Sequence, residues 1–348
     1  MKKISSIVVA IVIIIGGYIG YKIFGPTVKA PEQKYIYIKT GSTYESVKQQ
    51  LLDKNVINNG GIFEKVANLL NYPKLVKAGR YQIKDGISLF NLVKMLRSGN
   101  QAAVNLVINK LRIKEDLAAK ISANFEIDSV TVIQFLNNAD SLKKYDLDSN
   151  TVMTAIIPNT YSIFWNTSIS KIFKKLFAEQ ERFWTSERKQ KAKRIGLTPK
   201  EVYTMASIVE EETNKEEDKG KVASVYLNRI ETGMKLEADP TVKFAMKDFK
   251  LNRIMHKHLS YPSTYNTYQH TGLPPGPICT PSSKTIDAVL NAPQTNYIFF
   301  VAKPNFSGLS DFASTYKEHL GYAKKYQVWI DSLLKAKASK ENRKQLDY

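Results

Sequence analysis

Cysteine is almost absent from this chain: Cys279 is the single one in 348 residues. That excludes an intramolecular disulfide framework, and the expected state of such a residue is a small buried apolar side chain. Histidine is scarce too, at four residues. His256 and His258 have no third ligand at a telling spacing, so they are expected to be solvated, with no metal and no cofactor. GKVAS at Gly220 lacks the glycine-rich loop of a phosphate site. Acids are in deficit, with 32 Asp plus Glu against 51 Lys plus Arg, a formal charge of +19. Such a surface favours polyanions, whether nucleic acid, anionic lipid or an acidic cell-wall polymer, and charge alone does not choose among them. A hydrophobic content of 43% excludes a disordered chain, and the length suggests two folded units.

There is one long apolar run. Lys2 and Lys3 precede ISSIVVAIVIIIGGYIGY, Ile4 to Tyr21, which carries no charge. At about 1.5 Å per residue it reaches roughly 27 Å, enough to cross a hydrocarbon core. A cleaved signal peptide has a shorter apolar region ending in a small-x-small site, whereas Ile15 to Phe24 is bulky or glycine-rich. The expectation is an uncleaved single-pass anchor over 4–24 with residues 1–3 cytoplasmic. Lys22, Lys29 and Lys34 on the far side weaken the charge bias. Everything after a linker at 25–34 should then lie outside the cytoplasmic membrane, which disfavours nucleic acid as a partner.

The rest reads as an α+β chain with helices dominating its second half. YIYIKT, Tyr35 to Thr40, alternates like a strand, and Gly41-Ser42-Thr43 forms a turn and helix cap. Val47, Leu51, Leu52 and Val56 fall at helical spacing, a second helix follows Gly60-Gly61, and KAGRYQI gives a turn and strand. This strand–helix–helix–strand order over 35–103 resembles a LysM-type glycan-binding module. Residues 105–136 partly repeat it. Ile156 to Ser168 is β-rich, Ile169 to Gly196 reads as one amphipathic helix, and helices are expected at 199–213, 217–232 and 282–291. DPT at Asp239 reads as a helix stop. A strand at 297–303 precedes a helix at 311–337 and a basic tail at 338–348. Trp165 and Trp184 are expected in the core.

ASIVEEETN, 206–214, places three adjacent carboxylates at the end of a helix that Thr198, Pro199 and Glu201 start. Its apolar stripe centres near Val202 and Val209. Glu211 projects roughly opposite and should be solvated. Glu212 lies roughly 50° to 70° from the centre, and Glu210 about 90° or more away on the other flank. Glu212 is therefore the carboxylate expected to be half-buried, with a pKa raised by desolvation and by Glu210 and Glu211 as anionic neighbours. A glutamate so tuned can donate a proton near neutral pH.

MASIVEEET, DKGKVASVYLNRIETGMKLEADPTV, YNTYQHTGLPPGPICTP and YIFFVAK follow in order over about 100 residues. On these stretches the chain resembles the endolytic murein transglycosylases, the YceG-like family. The resemblance implies a catalytic domain over 104–337 that cleaves the MurNAc–GlcNAc bond within nascent peptidoglycan strands, leaving 1,6-anhydro ends. It implies a single catalytic glutamate, the second of an E-x-E pair before Thr, which is Glu212 here. Asn228, Tyr265, Asn266 and Tyr268 are candidates for orienting the sugar, and Glu210 for tuning Glu212 or binding hydroxyls. Peptidoglycan strands, the membrane and peptidoglycan synthases are the expected partners. Two departures stand out: Glu211 occupies a position often held by Lys, and Pro158-Asn159-Thr160-Tyr161 carries Asn where relatives often carry Asp. Two readings remain open beside this one, a non-catalytic wall-binding scaffold and a hydrolase with Asp239 as second carboxylate.

Overall fold

The computed structural model describes residues 2–346. Met1, Asp347 and Tyr348, the ends of the expected tails at 1–3 and 338–348, lie outside the described residues. The chain is a helix-rich α+β protein whose strands form three two-stranded sheets among the described residues. It divides into two units.

The first comprises Met1–Leu106, Ala119–Val132 and Tyr161–Ile172. Its elements are α1 (Lys2–Phe24), β1 (Tyr35–Ile38), α2 (Tyr44–Asp53), α3 (Gly60–Leu69), β2 (Gly79–Gln82) and α4 (Leu89–Ser98). β1 and β2 pair antiparallel, with Tyr35 opposite Gln82 and Ile38 opposite Gly79. Local chemistry starts each helix: Thr43, Asn59 and Ser88 accept hydrogen bonds from the backbone N–H three residues on. Gly99, at φ +73°, closes α4 in the left-handed region. The helix α4 was not anticipated. The side chains of Ile36, Ile38, Leu51, Phe63, Tyr72, Tyr81, Leu92 and Leu96 close the core. In α1, Ser6–Phe24 is long and apolar enough to cross a membrane, at a mean hydropathy of 2.3, a signature that an anchor and a signal sequence share.

Two later segments, which the sequence places within 104–337, belong to this unit. Glu126 accepts from the Thr40 backbone N–H and hydroxyl, both at 2.6 Å. Trp165 packs edge-on against Tyr37 at 5.1 Å, and Asn166 donates to the Ala78 carbonyl at 3.2 Å.

Connecting elements follow in chain order: β3 (Val104–Ile108), α5 (Lys114–Asn124), α6 (Ser129–Asn137), α7 (Ala139–Lys143), β4 (Asn159–Ile163), α8 (Ile169–Phe183) and α9 (Ser186–Arg194). β3 and β4 form the second sheet. The helix expected over 169–196 is thus two. It breaks where Trp184 turns into the core at 3% exposure and Thr185 caps the next helix on Arg188 N–H. Arg188 is itself fixed by a bidentate pair with Asp287, at 2.7 and 2.9 Å.

The second unit comprises Val107–Ala118, Ile133–Thr160 and Phe173–Tyr348. It is organised around α10 (Pro199–Glu212), which packs against α9, α11 (Glu216–Glu231), α12 (Asp239–Met246) and α14 (Ser283–Leu290). α13 (His256–Leu259), β5 (Phe299–Ala302), β6 (Ser310–Ala313) and α15 (Tyr316–Leu346) complete it. Small residues in α10 permit the close approach. Ser207 is fully buried, accepts from Ile278 N–H at 3.0 Å and donates to the Thr204 carbonyl. Cys279 is buried beside it and donates to the Ser207 carbonyl. Three expectations are corrected. Asp239-Pro240-Thr241 opens α12 rather than stopping a helix, since Pro is favoured in a first turn. The last helix starts at Tyr316, because Ser310–Ala313 pair with β5 as a strand, and it continues through Leu346 across the expected boundary at 337. His258 is buried rather than solvated, its Nδ1 accepting from Met255 N–H at 3.2 Å.

Candidate active site

The α10 helix begins on a capping box: Thr198 accepts from Glu201 N–H, and Glu201 accepts from Thr198 N–H at 2.8 Å. This fixes the start of the helix and thereby the rotation of its three terminal glutamates. Each has a different environment. Glu210 accepts from the hydroxyls of Thr285 and Ser282 and lies 3.5 Å from the buried ammonium of Lys219. Glu211 is not the solvated residue its position on the helix suggests. Its side chain is 15% exposed and pairs with Lys110 at 3.1 Å and Arg112 at 2.9 Å. Burial opposes its ionisation, but the Arg112 hydrogen bond and the Lys110 charge outweigh that and hold it below the usual carboxylate range.

Glu212 is half-buried and forms no ion pair among the described residues. Its Oε1 accepts from the Tyr226 hydroxyl at 2.9 Å. Burial pushes its pKa up to about 7, against the lowering effect of the Tyr226 hydrogen bond. The anion that adds to the rise is Asp239. This corrects the sequence expectation, which assigned that role to Glu210 and Glu211; both are turned into cation pairs of their own. Lys243 and Arg229 pull weakly the other way. Asp239 in turn accepts from the Tyr268 hydroxyl at 2.7 Å. Burial and the Asp239 carboxylate push the Tyr268 phenol well above its ordinary value, so it stays a neutral donor. The result is one proton-holding carboxyl beside a second carboxylate, each bonded to its own tyrosine.

The model of the YceG-like family matches residues 36–325. The chain belongs to the YceG-like family. It is 30% identical over 336 residues to an endolytic murein transglycosylase of Bacillus subtilis, covering 90% of this chain and 91% of that one. It is 27% identical to the endolytic murein transglycosylase of Streptococcus pneumoniae D39, covering 91% of this chain and 63% of the longer relative. Among solved structures it matches a yceG-like protein from Listeria monocytogenes, determined at 2.6 Å, with a TM-score of 0.56 and 26% identity over 83% of this chain and 99% of that one.

Of the YceG-like site residues proposed from sequence, the fold brings Glu212 and Tyr268 together through Asp239. Glu210 is their neighbour along α10 but faces α14 and Lys219. Tyr265 packs against Phe244 at 4.8 Å, and burial pushes its phenol up to about 12. Asn228 points away: its amide donates to the Thr295 and Tyr297 carbonyls, both at 2.8 Å. It stands two residues from Tyr226, about 200° around α11. Asn266 is fully buried, donates to the Leu259 and Tyr261 carbonyls and accepts from Tyr268 N–H at 3.0 Å. It ties the loop that presents Tyr268. Asn266→Ala should therefore destabilise the protein by about 2–4 kcal/mol, because the Tyr261 carbonyl and the Tyr268 N–H lose their partner and the Leu259 carbonyl keeps only Gln269. Denaturant unfolding of the full chain measures this, and a loss below about 0.5 kcal/mol would contradict it. Asn159 is exposed at the start of β4 and donates to Glu179 at 3.2 Å.

Tyr226 was missed. The signal was available: Val222, Tyr226 and Arg229 recur at helical spacing on the buried stripe of α11. A tyrosine on such a stripe needs a partner for its hydroxyl. What periodicity does not reveal is that the partner lies at the end of the preceding helix.

Proposed function

We propose that this chain is an endolytic murein transglycosylase that cleaves the MurNAc–GlcNAc β-1,4 bond within nascent glycan strands, with Glu212 as its single general acid and base. The observation that carries the reading is a half-buried glutamate whose pKa of about 7 keeps its proton available at neutral pH. Kinship supports it: the two relatives named above are both endolytic murein transglycosylases.

Glu212 protonates the glycosidic oxygen as the bond to the MurNAc anomeric carbon breaks. The C6 hydroxyl of the same MurNAc attacks that carbon, and the Glu212 carboxylate takes the hydroxyl proton. One carboxyl group suffices, because the nucleophile is part of the substrate and no water has to be activated. Tethering supplies an effective molarity of about 10⁵ M or more. The product is a 1,6-anhydroMurNAc end, and the strand can no longer be extended from it. In this reading α1 is a single-pass anchor that holds the enzyme on the extracytoplasmic face of the membrane. The LysM-like segment over 35–103 binds glycan, and peptidoglycan synthases deliver the nascent strand. Asp239 favours one other reading, since a hydrolase needs a second carboxylate.

The test is incubation of the detergent-solubilised full chain with uncrosslinked glycan strands, followed by mass spectrometry. The expected fragments end in anhydro sugars and together weigh the same as the starting strand. Fragments heavier by one water per cut would instead assign hydrolysis with Asp239 as partner. Intact strands would overturn both readings and leave the wall-binding scaffold.

A further inference from the structure

We propose that Tyr226 is a positioning residue that fixes the proton of Glu212 on Oε2 and aims that oxygen at the substrate. The inference rests on the reading of Glu212 as the acid and base and adds which of its two oxygens reacts.

The two carboxyl oxygens are not equivalent. Oε1 accepts from the Tyr226 hydroxyl at 2.9 Å. Oε2 takes no hydrogen bond among the described residues, yet it is not a sealed orphan: it keeps accessible surface. A group arriving from outside can therefore reach Oε2 and finds Oε1 already engaged. Tyr226 cannot easily exchange this role. The residue is 1% exposed and sits in the core cluster with Val209, Val222 and Ala223, its ring edge-on to Phe300 at 6.1 Å. If the proton were on Oε1, the phenol would have to accept it, and the phenol hydrogen would lose the one acceptor it has among the described residues. An unmade buried hydrogen bond is costly, so the phenol donates and the proton resides on Oε2.

The same bond serves both halves of the reaction. With Glu212 protonated, Oε1 is the carbonyl oxygen and accepts from Tyr226. Once Oε2 has delivered its proton to the leaving oxygen, Oε1 is half of a carboxylate and still accepts. The carboxyl group need not turn between donating and recovering the proton. Tyr226 is not itself the acid, because burial and the Glu212 carboxylate push its phenol far above the ordinary range. Its hydrogen bond favours the ionised carboxyl and limits how far burial raises the Glu212 pKa.

Tyr226→Phe keeps the ring and removes the donor. Carbon-detected NMR titration of glutamate-labelled full chain, with the Glu212 signal assigned by its absence in Glu212→Gln, reads the pKa without any turnover. The Glu212 pKa should rise by roughly one unit in Tyr226→Phe, the equivalent of losing one hydrogen bond to the ionised form. In turnover assays the alkaline limb of the pH profile should move up with it. The maximal rate should fall about 10- to 100-fold with KM within about twofold, since orientation and not binding is lost. Incorporating 3-fluorotyrosine at position 226, a stronger donor of nearly the same size, should move the pKa and the limb the opposite way. A Glu212 pKa unmoved in both variants would overturn the proposal, as would a fall in thermal stability that comes with unchanged pH dependence. A wild-type chain that cuts no glycan would fail the functional reading alone, because the NMR titration still decides whether Tyr226 holds Oε1.

Discussion

Glu212→Gln should reduce strand cleavage by about 10²–10⁴-fold or more and at the same time make the protein more stable at neutral pH. The first effect follows from removing the proton. Gln has the same shape, and its amide oxygen still accepts from Tyr226, so the loss reports chemistry rather than collapse. The second follows from linkage. The ordinary pKa of the group is 4.5 and the folded value is about 7. Below pH 4.5 the carboxyl is protonated in both the folded and the unfolded chain and contributes no penalty. Between 4.5 and about 7 the unfolded chain releases its proton while the folded chain retains it, so wild-type stability falls as pH rises. Above about 7 the penalty is complete, at most about 3 kcal/mol. Gln carries no charge in either state. The advantage of the variant should thus grow across that window and level off above it, as measured by thermal unfolding of both proteins at a series of pH values. A stability difference flat from pH 4 to 8 would mean the carboxyl is not sheltered, and the mechanism would lose its basis.

Arg229→Met should cost about 3–5 kcal/mol. Arg229 is 7% exposed on α11. Its Nε donates to the Ile298 carbonyl at 2.7 Å, and Nη1 donates to the Leu236 carbonyl at 2.9 Å and the Lys235 carbonyl at 3.2 Å. Glu237 lies 3.2 Å from the same nitrogen, and the guanidinium sits over the Phe299 ring at 5.4 Å. One planar fork therefore ties the segment entering β5 to the segment entering α12. Methionine fills much of the same volume but leaves the buried Leu236 carbonyl and the part-buried Ile298 and Lys235 carbonyls without this donor. For a unit of this size the loss corresponds to a fall of roughly 6–20 °C in Tm, measurable by calorimetry on the full chain. Lysine should recover little, because a single ammonium cannot reach both segments in the fork geometry. A loss below about 1 kcal/mol for Met would show that water replaces the guanidinium. The Glu237–Asp239 segment carries the carboxylate beside Glu212, so Arg229→Met should also loosen the site it does not touch.

Local signals in the sequence proved reliable where the physics is local. Thr198, Pro199 and Glu201 announce the start of α10, and counting 100° per residue from Val202 separates Glu212 from its neighbours without any tertiary information. The strand–helix–helix–strand order of the first unit is legible for the same reason, since Thr43 and Asn59 cap their helices through side chains three residues away. The failures are all tertiary. Glu211 reads as solvated until Lys110 and Arg112, 99 residues and more before it, cover it. Asn228 and Asn266 read as sugar-facing amides because an amide suits a hydroxyl, but it suits a main-chain carbonyl equally well, and both found carbonyls first. Asp239-Pro240-Thr241 is ambiguous by nature: the same tripeptide that ends one helix starts another, and only the packing of α12 on α10 resolves it. The 310–313 segment lacks strong alternation and becomes a strand only because β5 offers an unpaired edge.

The first unit draws on three separate stretches of chain, and this has a consequence for synthesis at the ribosome. The pocket for Tyr37 is not complete until Trp165 has been made, and Thr40 waits for Glu126. A nascent chain stopped near residue 103 carries the two-stranded sheet and its helices but not the partners that cap them. Final consolidation of the N-terminal part is then delayed by about 3–14 s at ordinary elongation rates, while the remaining segments emerge. During that interval the apolar α1 has already left the ribosome, before the N-terminal part of the protein has acquired its finished form.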